Sequence, residues 1–201
     1  TMNIKRVLIS VSDKTGVVEL ARKLKEYGAE ILATEGTVSH LRGARIDVTS
    51  VSEITGYPQL LDGRVKTLHP KIFAALLGVQ TKREHAVQQE EMGIEPIDMV
   101  VVNLRPFPEV ANRTRNEFEL LEHVDIGGVA LIRAAAKNYR DVVVLVDPAD
   151  YDSVLESLWS CGDVPLQTRR RLALKAMKTV LEYDRTIYSV MAEIFGESEE
   201  L

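Results

Sequence analysis

The segment Asp62-Gly-Arg-Val-Lys-Thr-Leu-His-Pro70 packs two cations, a hydroxyl and an imidazole between a glycine and a proline. Gly63 frees the backbone to turn, and Pro70 biases His69 toward an extended conformation. In an extended segment, alternate side chains share a direction. Arg64 and Lys66 then point one way and His69 lies on the face opposite Lys66. Two cations aimed at one spot repel unless something anionic lies between them. The segment is therefore either an anion site or a basic surface turn with solvated charges.

Two further stretches carry phosphate chemistry in the same alternative sense. Ser10-Val-Ser-Asp-Lys-Thr-Gly16 and Thr34-Glu-Gly-Thr37 each sit between a strand-like run and a helical pattern. A helix start offers unpaired N–H donors and a positive dipole end, and Lys14 would add a point charge. Plain N-capping by Ser12, Thr15 and Thr37 uses the same residue types. Two such turns on neighbouring strands of a parallel sheet point to a shared anion site at its carboxyl edge. Asp125-Ile-Gly-Gly128 puts a carboxylate beside another helix start. There the amides of Gly127 and Gly128 could face a developing oxyanion, or Asp125 could be a cap with a packing glycine. Lys137-Asn138 closes that helix in the ordinary manner of a cation in the last turn. A straight helix between them would hold Asp125 and Lys137 roughly 18 Å apart. The histidines His40, His69, His85 and His123 lack metal-ligand spacing.

These residues need a scaffold, and the hydrophobic pattern supplies one. Val7 to Ser10, Glu30 to Thr34 and Ile46 to Val51 read as strands. A helical stripe from Val17 to Leu24 stops at Gly28, and a short helix follows the turn Glu35-Gly36-Thr37 through Leu41. Ile72 to Leu77 fits strand or helix, and Lys82 to Met92 is helix-prone. Asp98 to Leu104 has the β-branched run of a central parallel strand. Asn116 to His123 and Val129 to Lys137 read as helices, Val142 to Val146 as another central strand, and Asp147-Pro148 as a helix start. Val164 to Phe195 reads as helix in two pieces, with Leu172, Ala173, Ala176 and Met177 facing the core. The pattern predicts an α/β fold, a mainly parallel sheet flanked by helices, with C-terminal helices wrapping the core.

Composition narrows the function. The chain has 201 residues, 45% apolar and 27% charged, with a formal net charge of −5 and a pI near 5.5. That balance argues against nucleic acid or an anionic membrane as partner, while leaving room for a local basic pocket. No apolar run is long enough to span a bilayer. The single Cys161 suits a reducing compartment and excludes an internal disulfide framework. No signal peptide is evident, so a cytoplasmic location is expected. One domain over 1–196 and an acidic tail at 197–201 are expected.

With these motifs assembled, nearly the whole chain resembles the IMP cyclohydrolase domain of the bifunctional AICAR transformylase/IMP cyclohydrolase family. The resemblance rests on SVSDKTG (Ser10 to Gly16), GRVKTLHP (Gly63 to Pro70), VVNLxPF (Val101 to Phe107), DIGG (Asp125 to Gly128) and RAAAKN (Arg133 to Asn138). TRRRLALKA (Thr168 to Ala176) and Tyr183-Asp184 continue it. It implies a methylglyoxal synthase-like fold and ring closure of a formylated aminoimidazole carboxamide ribotide (FAICAR) to IMP, with loss of water and no cofactor or metal. Lys66, Asp125 and Lys137 would be catalytic, joined by Arg105. Ser12, Lys14, Thr34, Gly36, Thr37, Arg64, Thr67, Asn103, Ile126 and Gly127 would bind the ribotide. By the same analogy the partners are the small-molecule ribotide, a second copy in a homodimer, and a separate AICAR transformylase. The family's bifunctional members carry a transformylase domain after this region, so a stand-alone protein or a truncated one is implied.

The chain departs from the family pattern at identifiable places. Arg105 stands where the family has tyrosine, and an arginine does not donate a proton at neutral pH. Glu35 replaces a glycine in the second phosphate turn. About 4 Å from a phosphate it would cost on the order of several kcal/mol at an effective dielectric near 20, so it must point away, pair with Arg105 or Lys14, or serve another ligand. Met177-Lys178-Thr179 lacks the usual histidine, and Ala75 replaces a common glycine. Three functions follow: a cyclohydrolase in which Arg105 acts by electrostatics, a ribotide-binding module that lost the reaction, or a methylglyoxal synthase-like lyase using Glu35 or Asp13 as base.

Overall fold

The computed structural model describes residues 2–197. Five parallel strands form one sheet in the order β3-β2-β1-β4-β5, with β1 at Arg6–Val11, β2 at Glu30–Ala33, β3 at Thr49–Ser50, β4 at Met99–Asn103 and β5 at Val143–Leu145. Strand residues alternate between the two faces. Val7, Ile9, Val11, Ile31, Ala33, Met99, Val101, Val143 and Leu145 belong to one core cluster. Leu8, Leu32, Val100, Val102 and Val144 belong to the other. Helices α1 (Val17–Tyr27), α2 (Glu35–Gly43) and α9 (Tyr151–Cys161) cover the first face. Helices α3 (Val51–Thr55), α4 (Pro70–Leu77), α8 (Gly127–Lys137) and the start of α10 (Leu166–Phe195) cover the second. A third cluster, built on the fully buried Phe107, joins α6 (Phe107–Ala111), α7 (Glu117–Glu122) and the far half of α10. Helix α5 (Arg83–Glu91) buries no residue, and a 3-10 turn at Pro148–Asp150 leads into α9.

This is the predicted α/β architecture, with several local corrections. The strand expected over Ile46 to Val51 is cut to Thr49–Ser50 because Ser50 and Glu53 form a reciprocal capping box that starts α3. Helix α2 begins at Glu35, inside the expected turn. The ambiguous Ile72 to Leu77 run is helical: Pro70 occupies the first turn, and His69 Nδ1 accepts the Lys71 N–H at 3.1 Å. Expected to be central, β5 is an edge strand. It reads as central because helices bury both its faces. The C-terminal region is one 30-residue helix, since neither Gly nor Pro interrupts Leu166 to Phe195. Met177 is 49% exposed, unlike Leu172, Ala173 and Ala176, which are core as expected. Among the described residues no helix is long and apolar enough to cross a membrane. Of the acidic tail expected at 197–201, all but Glu197 lies outside the described residues.

Candidate functional site

In a parallel sheet, ligands bind outside the carboxyl ends of the strands where neighbouring connections diverge. Here β1 lies between β2 and β4, and a cleft of about 590 Å³ opens at that edge. Lys14, Arg64, Lys66 and Arg105 line it against the carboxylates Glu122 and Asp125. A chain of negative net charge thus gathers a locally positive cavity.

The loop after β1 is held from β4. Asn103 Oδ1 accepts the N–H groups of Ser12 at 2.6 Å and Asp13 at 2.8 Å. Asn103 Nδ2 donates to the Asp13 carbonyl at 2.8 Å. Asn103 lines the cleft, but its amide is spent on positioning this loop. The capping positions Gly16 before α1 and Thr34 before α2 supply no side-chain cap. The capping alternative for Ser12, Thr15 and Thr37 therefore fails. Thr34 Oγ1 donates to Ser10 Oγ at 3.1 Å, and the buried Thr37 Oγ1 accepts the Val11 N–H at 3.4 Å. Ser12, Thr34, Gly36 and Thr37 all face the cleft.

Lys14 donates through Nζ to the Val11 carbonyl. Burial, and then the charge of Lys66, hold its ammonium below the usual lysine value. Two cations from segments far apart in sequence thus press on each other in the cleft, and an anion between them would relieve the repulsion.

The segment bearing Lys66 opens as a tight turn at Gly63, and His69 before Pro70 is extended, as expected. Leu60 and Val65 form an isolated antiparallel bridge, and Leu61, Asp62 and Gly63 between them all have positive φ. Arg64 and Lys66 nevertheless both reach the cleft. Gly63 has φ 84°, and a Cβ there would lie 2.8 Å from Lys66 Cε. The lysine stem passes over the glycine, so the missing side chain is part of how Lys66 is aimed. Arg64 pairs with the Glu122 carboxylate across the mouth. Both partners are more than half exposed, so the pair adds little to stability and is open to exchange. Thr67 is buried, with Oγ1 3.1 Å from the place a Cβ of Gly127 would occupy.

Asp125 is the most constrained group of the site. Its Oδ1 accepts the Gly128 N–H at 2.7 Å and its Oδ2 the Arg105 N–H at 3.0 Å. A side chain at 128 would collide with this carboxylate, since its Cβ would sit 2.8 Å from Oδ1. The Gly128 amide, expected as an oxyanion donor, is consumed by Asp125, which leaves the Ile126 and Gly127 end of the helix start facing the cleft. Arg105 meets Asp125 through its main chain, and its guanidinium donates to the Glu122 carbonyl at 2.7 Å.

The structure separates Lys137 from this set. Helix α8 runs unbroken from Gly127 to Lys137, so its ends lie about 15 Å apart. Lys137 lines a second groove of about 510 Å³ with Leu77, Ile132, Met177 and Val180, between α4, α8 and α10. Glu35 also stays out of the cleft: its Oε1 accepts the Ser52 hydroxyl at 2.9 Å. The carboxylate that would repel a phosphate is thereby turned toward α3. Sequence reasoning missed Glu122. Its signal was weak, one of three glutamates on a short helix.

Residues 16–130, more than half of the chain, match the family model described as MGS-like domain. The chain belongs to the MGS-like domain family. Residues 135–201 of this MGS-like chain match a second model, AICARFT/IMPCHase bienzyme. The chain is 50% identical over 197 residues to the bifunctional purine biosynthesis protein PurH of Acetivibrio thermocellus, covering 98% of this chain and 38% of that protein. It is 47% identical over 199 residues to the protein of the same name from Bacillus subtilis, covering 98% and 39%. It therefore spans well under half the length of these curated relatives. The crystal structure of ForH superposes with a TM-score of 0.82 at 36% identity, covering 93% of this chain and 98% of that one. These similarities bear out the MGS-like fold and the family resemblance read from the motifs.

Proposed function

We propose that this MGS-like chain is an IMP cyclohydrolase, closing the ring of FAICAR to IMP with release of water. The observation that carries the reading is the meeting of Lys14, Arg64, Lys66 and Arg105 with two uncapped helix starts and a fixed carboxylate, Asp125, in one cleft. The phosphate end would lie against Lys14 and the starts of α1 and α2, since anions are favoured there. The base would extend toward Lys66 and Asp125. In the reaction the carboxamide nitrogen attacks the formyl carbon, forming a C–N bond and an alkoxide. The carboxamide nitrogen and the former formamide nitrogen each lose one proton, the oxygen takes up two and departs as water as its C–O bond breaks, and a C=N bond forms to the former formamide nitrogen. Holding both groups of one molecule in contact supplies much of the acceleration. Asp125 is suited to take the nitrogen's proton, because its oxygens are held as acceptors. Lys66 is suited to protonate the departing oxygen. The match of residues 135–201 to the AICARFT/IMPCHase bienzyme model supports this assignment, and the names of the relatives support a place in purine biosynthesis.

A second reading, a ribotide-binding module without turnover, is favoured by the distance of Lys137 from the cleft and by Arg105 in the tyrosine position. Ultraviolet assay of purified protein with FAICAR, with Lys66→Ala as control, decides between them. Turnover lost in the variant supports the cyclohydrolase. Calorimetric binding of IMP without turnover by the wild type supports the module.

A further inference from the structure

Tyr183 lies on α10, far from the cleft in sequence, and lines no part of it. It is 7% exposed and packed in the cluster of Phe107, Val110, Leu120 and Met191. Its ring meets Phe107 edge-to-face, 6.5 Å between centroids. Burial in an apolar cluster accounts for the ring but leaves the hydroxyl to be satisfied. That hydroxyl bridges one turn: it accepts the Asp125 N–H at 3.1 Å and donates to the His123 carbonyl at 2.9 Å.

The turn it bridges ends in the carboxylate of the site. Asp125 is tied at three points: by Gly128 at Oδ1, by the Arg105 main chain at Oδ2 and by Tyr183 at its own amide. The first two orient the carboxylate, and the third fixes the Cα from which it hangs. Residues 123–126 belong to no helix or strand, so no regular backbone ladder does this instead. Burial pushes the Tyr183 phenol up to about 12, so it stays a neutral donor and acceptor at working pH.

We propose that Tyr183 is a positioning residue for Asp125: its hydroxyl sets where the carboxylate stands in the cleft without touching the ligand. This rests on the cyclohydrolase reading for its kinetic consequence and on the hydrogen bonds alone for its structural one.

The test uses the full chain and the variants Tyr183→Phe, Asp125→Asn and both together. Phenylalanine keeps the ring packing and removes the bridge. With FAICAR, Tyr183→Phe is expected to lower kcat about 10-fold with KM changed by less than about twofold. On the Asp125→Asn background the same change should have no further effect, because its target is already disabled. Independently of turnover, amide exchange of Asp125 and Gly128 is expected to quicken about 10-fold in Tyr183→Phe while the rest of α10 is unchanged. Additive losses in the double variant would overturn the inference, since a merely structural role acts on either background. Unchanged exchange at Asp125 would overturn it as well. A wild type without turnover would defeat only the cyclohydrolase reading, and the exchange comparison would still decide the role of Tyr183.

Discussion

A single methyl group placed on Gly63 gives a direct test of how Lys66 is aimed. Gly63→Ala puts a Cβ 2.8 Å from Lys66 Cε, where carbon atoms normally rest about 3.5–4.0 Å apart. The backbone here is a bridged turn closed by Leu60 and Val65, whereas the obstructing atom is the end of a flexible stem. The stem therefore yields, and its end withdraws by about 1 Å. Misplacing a reacting group by that distance costs on the order of 100-fold in rate. The substitution also forces alanine into a left-handed conformation at φ 84°, at about 1–2 kcal/mol. For a chain of this size that lowers Tm by roughly 2–8 °C. The expected result is a large drop in kcat in an enzyme still folded at 25 °C, measured by ultraviolet turnover of FAICAR and by thermal melting. A Gly63→Ala enzyme with wild-type kcat, beside a Lys66→Ala variant that is dead, would refute the claim that the glycine aims the lysine.

Asn103→Ala removes three hydrogen bonds to the Ser12–Asp13 backbone. Water replaces part of each, leaving a net loss of about 1–2 kcal/mol. IMP affinity by calorimetry should fall about 10-fold, and an unchanged Kd would show that the loop stands without β4. Lys14 binds an anion in its charged form, and its value is held below 10.5 by burial and Lys66. Affinity for a phosphate-bearing ligand should therefore fall as pH rises, starting lower than an ordinary lysine would give. Titrations with Lys14→Arg, which stays charged, should be flatter over that range; equal slopes would exclude Lys14 as the source. Glu35→Gln should leave IMP affinity within about twofold, because the carboxylate faces Ser52 rather than the cleft. A marked gain in affinity would place it against the phosphate instead.

The sheet was legible because burial on both faces leaves continuous apolar runs, as in Met99 to Val102. The same property made β5 look central, since its position at the edge is set by what pairs with it and not by what covers it. Motif residues were legible as a group: the hydroxyls, glycines and cations that a phosphate site would need line one cleft. Their individual partners were not. Asn103 binds backbone from another loop, one Asp125 oxygen takes the Arg105 amide, and Glu35 turns to a serine on α3. Each is a long-range contact with no local pattern. Lys137 is the instructive case: its motif neighbourhood is intact, yet an uninterrupted helix carries it to another groove. The tight turn at Leu61 to Gly63 was half visible through its glycine, while the positive φ of Leu61 and Asp62 has no signature in those side chains.

The long helix α10 also sets an order of assembly. Its first half closes the second face of the sheet through Ala173, Ala176 and Val180. Its second half, through Tyr183 and Met191, closes the cluster that backs α6 and α7. Every residue lining the cleft, from Ser10 to Gly128, precedes it in the chain. During synthesis the strands β1, β2 and β4 can therefore emerge and pair while the wall around Asp125 still lacks its support. The hydrogen bonds from Tyr183 to Asp125 and His123 form only when that segment has left the ribosome and docked.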